Sequence, residues 1–101
     1  MLMVRKIVLS IIAVLAVSFV ALAQNAQVTG TVVDQSGVAV VGATVMVDGT
    51  TTGTTTDVNG DFSINAPRNG KLVISFIGYE DQNIEIAGRT NIKVTLVEDA
   101  L

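Results

Sequence analysis

From Gln24 to Leu101, 29 of 78 residues are Val, Thr or Ile, while Leu occurs three times. Branching at Cβ narrows χ1 and disfavours helix, whereas a pleated strand accommodates it. All nine Gly of the chain lie in the same stretch, spaced at short intervals. No apolar period of helical length follows residue 23. Short β runs separated by turn signals argue for an all-β domain, a sandwich or a barrel.

The runs can be placed by alternation. Val28–Asp34 sets Val28, Gly30 and Val32 against Thr29 and Thr31, and Gln35-Ser36-Gly37 turns the chain. Ala43–Asp48 puts Ala43, Val45 and Val47 on one face. Gly53–Asp57 is a short Thr-rich strand. Asn59-Gly60 is the strongest hairpin signal, because both residues tolerate positive φ. Asp61–Asn65 returns with Phe62 and Ile64 inward, and Pro67 ends that run. Lys71–Ile77 is apolar on both faces and reads as the most central strand. Glu80–Ile86 and Asn91–Val97 complete about seven strands, all antiparallel by connection length. The expected core is Val32, Val45, Phe62, Ile64, Leu72, Ile74, Phe76 and Val94. The glycines assigned to turns or kinks are Gly37, Gly42, Gly53, Gly60 and Gly78, with Asp57 and Asn59 beside them.

Residues 1–23 are of another kind. They hold 19 apolar residues, broken only by Arg5, Lys6, Ser10 and Ser18. A short positive start, the apolar run Ile7–Leu22 and the small residues Ala21 and Ala23 make a secretory signal pattern, with cleavage before Gln24. A spanning helix needs about 20 apolar residues, and this run is shorter. The segment 1–23 is therefore expected as a signal-peptide helix, and 24–101 as one exported domain.

Composition excludes several chemistries. There is no His and no Cys, hence no imidazole base, thiolate, disulfide or ordinary zinc site. After residue 23 the chain has four Lys and Arg against nine Asp and Glu, a net charge of -5. That balance does not suit nucleic acid. Asp57-Val58-Asn59-Gly60-Asp61 invites a calcium reading, but Gly60 stands fourth rather than sixth and no Glu closes the loop. A turn in which Asp57 accepts backbone hydrogen bonds is expected instead, without metal or cofactor. No acid pair converges for general acid–base work. Thr50–Thr56, six Thr around Gly53, reads as an edge or solvent face in which Thr serves as a β-former, the other reading being a polar binding face. Tyr79 is either an exposed ring for sugar stacking or packed at a strand end beside a kink at Gly78.

The motifs resemble a known family. Val28-Thr29-Gly30-Thr31-Val32-Val33-Asp34, then Ser36-Gly37 and Val41-Gly42-Ala43-Thr44-Val45, look like the opening of the carboxypeptidase-regulatory-like domain, with Ala39 near the place of the usual Pro. Gly49 to Ile64 and Phe76-Ile77-Gly78-Tyr79 resemble its later signatures. The version is most similar to the N-terminal extension of SusC/RagA-type TonB-linked outer-membrane receptors of Bacteroidota. The resemblance implies a seven-stranded, transthyretin-like (prealbumin-like) Greek-key sandwich at the periplasmic face of the outer membrane. It implies no catalysis, and a protein partner or the rest of a receptor chain for glycan or nutrient uptake. It also implies that the chain is a truncated form lacking plug and barrel. The other class of function is a free-standing secreted sandwich that binds protein or carbohydrate.

Overall fold

The computed structural model describes residues 25–100. The expected signal-peptide helix and its cleavage residues Ala21, Ala23 and Gln24 lie outside the described residues.

Seven strands make two sheets: β1 (Asn25–Val33), β2 (Thr44–Val47), β3 (Gly53–Thr55), β4 (Asp61–Pro67), β5 (Lys71–Ser75), β6 (Gln82–Glu85) and β7 (Asn91–Thr95). One sheet has the order β4-β1-β7 and the other β3-β2-β5-β6. Each strand sends alternate residues inward, so the two sheets share one apolar layer. Val28 and Val32 of β1, Phe62, Ile64 and Ala66 of β4, and Ile92 and Val94 of β7 meet Val45 and Val47 of β2 and Leu72 and Ile74 of β5. Ile86 and Leu96 close the layer just beyond β6 and β7. On the outer face of the first sheet the Thr31 hydroxyl donates to Asp61 Oδ1 (2.6 Å), its register partner, and Gln27 Nε2 donates to Ser63 Oγ (2.7 Å).

Gly30 is inward on the middle strand of that sheet. A Cβ there would lie 2.3 Å from the Ile92 carbonyl oxygen and 2.4 Å from the Phe62 ring. Phe62 is its register partner on β4. The missing side chain therefore lets the aromatic ring lie across β1, where it fills the space the glycine leaves.

Four expectations are corrected. Pairing is not antiparallel throughout: β1 and β7 run parallel, Thr29 opposite Asn91 through Val33 opposite Thr95. Connection length bears on consecutive strands only, and here the crossover between the pair is the rest of the domain. Second, the Asn59-Gly60 turn does not close a hairpin of paired strands. β3 pairs with β2 and β4 with β1, so the chain changes sheets there. Third, β5 stops at Ser75 rather than Ile77. Tyr79 N–H donates to the Phe76 carbonyl (3.1 Å), Gly78 takes φ +88°, and Ile77 turns out to solvent, 91% exposed. Phe76 accordingly packs at the rim of the core, half-buried, instead of within it. Fourth, Thr56 is not part of a solvent face, being only 4% exposed.

Candidate docking end of the sandwich

Two turns of the same construction lie side by side at one end of the β4-β1-β7 sheet. In Asp34-Gln35-Ser36-Gly37-Val38, Gly37 N–H donates to the Asp34 carbonyl (3.0 Å) and Asp34 N–H to that of Val38 (2.9 Å). Asp34 Oδ1 accepts from the N–H groups of Ser36 (2.9 Å) and Val38 (3.0 Å). In Asp57-Val58-Asn59-Gly60-Asp61 the same four bonds recur: Gly60 N–H to the Asp57 carbonyl (2.9 Å), Asp57 N–H to that of Asp61 (3.0 Å), and Asp57 Oδ1 from Asn59 and Asp61 N–H (2.9 Å each). Each turn ends on a glycine at positive φ, +83° at Gly37 and +78° at Gly60. This is a turn followed by a left-handed glycine that bulges the returning chain. Asn59 itself is not at positive φ, so the mirror-image two-residue turn expected from Asn59-Gly60 is not the one formed. The equivalence of Asp34 was missed from sequence, although the same Asp-to-Gly spacing signals it.

The turns are locked together. Val32 N–H donates to the Gly60 carbonyl (2.8 Å), and a Cβ on Gly60 would lie 2.5 Å from the Val32 carbonyl and 3.2 Å from Ala39 Cβ. Thr56 ties in the intervening loop. Its hydroxyl donates to the Val40 carbonyl (2.6 Å) and accepts from Ala43 N–H (2.9 Å), while its carbonyl accepts from Gly42 N–H (3.0 Å). Gly42, at φ +81°, lines an open cleft of about 440 Å³ with Thr44, Ser75, Phe76 and Ile77. Tyr79 is half-buried, its ring 6.0 Å from that of Phe76, and its backbone pairs with Glu98.

Six of the seven turn residues named from sequence thus lie at this end: Gly37, Gly42, Asp57, Asn59, Gly60 and Gly78. The exception is Gly53, which opens β3 without positive φ and lies against the Met46 side chain opposite it. Val38, Val41, Val58 and Ile77, the exposed large apolar residues among the described ones, are also here, and no sequence pattern had drawn attention to them as a group. No group of three or more acids that could hold a metal ion converges among the described residues. Oδ1 of Asp57 is already committed to two N–H donors.

Replacing Asp57 by Ala should cost about 1–2 kcal/mol, two hydrogen bonds at a solvated turn, with Asp57→Asn keeping most of that. Thermal melts of the three forms check it. Millimolar calcium should leave the midpoint of the parent chain unchanged, since a bound ion would raise it. A calcium-dependent rise abolished by Asp57→Ala would overturn the turn assignment.

Two sheets around one core, with the aspartate turns and the exposed large apolar residues on loops at one end, define a β-sandwich whose distinctive chemistry is at a loop surface. The sequence profile of the CarboxypepD_reg-like domain matches residues 28–101, and the chain belongs to that family. It is 44% identical over 87 residues to the TonB-dependent receptor SusC of Bacteroides thetaiotaomicron, covering 86% of this chain and 9% of that protein. A TonB-dependent receptor of Formosa agariphila is 40% identical over 73 residues, 71% of this chain and 7% of the receptor. The chain therefore spans less than a tenth of the length of these relatives. Among solved structures, a type II cohesin–X-dockerin complex from Acetivibrio cellulolyticus superposes with a TM-score of 0.54 at 22% identity, over 68% of this chain and 51% of that one. This likeness concerns the fold alone.

Proposed function

We propose that the chain is the N-terminal module of a TonB-dependent, SusC/RagA-type outer-membrane receptor for glycan or nutrient uptake. The module is non-catalytic and works by docking protein at the periplasmic face. On this reading residues 1–23 are a cleaved signal peptide and 24–101 the working domain, a transthyretin-like Greek-key sandwich that carries none of the plug or barrel. The observation that carries it is the 44% identity to SusC over 86% of this chain. The relatives are named as receptors and not as enzymes, and the chain has no His or Cys for catalysis. The sandwich spends its apolar strand faces on an internal core, whereas an outer-membrane barrel turns them to lipid. Transport belongs to the remainder of such a receptor.

The absence of Cys makes a clean test. Asn69→Cys, on an exposed turn, introduces a single thiol into these residues, and its labelling is read against the parent chain. A membrane-impermeant maleimide should label it only after the outer membrane is permeabilised. Labelling in intact cells, or only after inner-membrane lysis, would reject the periplasmic placement. Reading the coding frame beyond codon 101 tests the receptor assignment separately: plug-and-barrel sequence in frame supports it, and an intact stop followed by unrelated sequence rejects it.

A further inference from the structure

We infer that the loop end built on the two aspartate turns is a docking surface for a basic, apolar polypeptide segment. This deepens the proposed function and rests on its docking role, but it is drawn from geometry and charge.

The four exposed apolar residues sit on neighbouring segments of one end. Ile77 and Gly42 line one cleft, and Val41 adjoins Gly42. Gly42 is bonded to Thr56, two residues before Val58, and Gly60 packs on Ala39 beside Val38. Val38, Val41, Val58 and Ile77 are 60%, 51%, 77% and 91% exposed. Scattered single apolar residues on a surface need no explanation, but four gathered at one end of a small domain mark an interaction site. The supporting backbone is fixed by the paired turns and the Thr56 bridge, so the surface is formed before any partner arrives.

The rim is acidic. Asp34, Asp57 and Asp61 stand in or next to the turns. Glu80, Asp81, Glu98 and Asp99 belong to the two segments joined by Glu80 N–H to Val97 carbonyl (2.8 Å) and Asp99 N–H to Gly78 carbonyl (3.1 Å). The cations are elsewhere. Arg68, Lys71 and Arg89 surround the opposite end, where Gly88 N–H bonds the Arg68 carbonyl (3.0 Å), Lys71 faces Glu85, and Arg89 Nη2 donates to the Glu85 carbonyl. Lys93 is midway along β7, opposite Thr31.

That distribution selects the occupant. An acidic rim repels anionic lipid headgroups and phosphate backbones. The same end of a second copy would bring like charge against like. The opposite end of a second copy mixes Arg68, Lys71 and Arg89 with Asp48 and Glu85, and none of the exposed large apolar residues of the described chain is there. A polypeptide that alternates Lys or Arg with apolar side chains satisfies both demands, with apolar groups in the cleft and charge steering the approach.

The test uses the exported chain as it stands after signal cleavage, residues 24–101, methyl-labelled at Val and Ile. It is titrated with a synthetic peptide alternating Lys and Leu. Saturable shifts should be confined to Val38, Val41, Val58, Ile77 and their neighbours. Ile77→Ser, an exposed change that leaves the core intact, should weaken binding about tenfold. Asp81→Asn with Asp99→Asn should weaken it further at low salt than at high. Peptides with Glu for Lys, or Ser for Leu, should not bind. Equal binding of the Glu peptide, shifts centred on β7 or near Lys71, no saturable shift, or unaltered binding by Ile77→Ser would each overturn the inference. So would the same shifts produced by anionic vesicles, or by raising the concentration of the chain itself. None of these results bears on the maleimide labelling or the reading frame, so the two failures are distinguishable.

Discussion

Thr56→Val is expected to lower the unfolding free energy by about 2–4 kcal/mol, although it keeps the shape and the branching of the side chain. What it removes is a hydroxyl that satisfies two buried backbone groups at once, Ala43 N–H and the Val40 carbonyl. Ala43 is fully buried and Val40 nearly so. Leaving a buried polar group unpaired costs about 1–3 kcal/mol, more than the net worth of the bond itself. Urea unfolding should show a lower midpoint with an unchanged slope, the sign of altered stability without altered compactness. Thr56→Ser keeps both bonds and should lose far less. A fall below about 1 kcal/mol for Thr56→Val would mean that the 38–43 loop relaxes enough to reach water.

Ile74→Ala should cost about 2–5 kcal/mol, the range for truncating a buried Ile, because the space it leaves lies between two sheets that cannot both close on it. Ile74 is fully buried on β5, paired with Val45 on β2 and Gln82 on β6. Ile77 supplies the comparison. It is the same residue type three positions on, and Ile77→Ala should change stability by no more than about 0.5 kcal/mol. Equal effects at the two sites would contradict the placement of the end of β5. Domains of this size have only a few kcal/mol in hand, about 0.05–0.15 kcal/mol per residue, so Ile74→Ala brings the fold close to its limit.

The contrast between these two isoleucines shows how far sequence carries. Alternation located Val32, Val45, Phe62, Ile64, Leu72, Ile74 and Val94 in the core, because a side-chain period of two translates directly into faces. It failed at Ile77, where Gly78 turns the backbone and the period no longer applies. It failed at Thr56 for a different reason. A Thr in a run of Thr looks like surface, and only the loop folded over it reveals that its hydroxyl is a bridge. The parallel β1–β7 pair and the division of β3 and β4 between sheets are long-range facts that no local pattern encodes. The aspartate turns were half legible. Asp57 stood out beside Asn59-Gly60, whereas Asp34 forms the same bonds within a less familiar string of residues. The apolar group at that end was not legible, since Val38, Val41, Val58 and Ile77 are brought together only by the fold.

The parallel pairing of β1 with β7 also sets how the domain bears tension. Asn25 begins β1 at the end of the sandwich near Pro67, and Thr95 ends β7 at the other. A pull that separates the chain before residue 25 from the chain after residue 95 drags these neighbouring strands in opposite directions along their length. The force is then spread over all five facing pairs from Thr29–Asn91 to Val33–Thr95 at once, and over the bond from Leu96 N–H to the Val33 carbonyl. Had the two strands been antiparallel, the same pull would have opened them one bond at a time. The described fold is thus arranged as a shear clamp, and a load passing through it along the chain meets its greatest mechanical resistance at the seam between its first strand and its last.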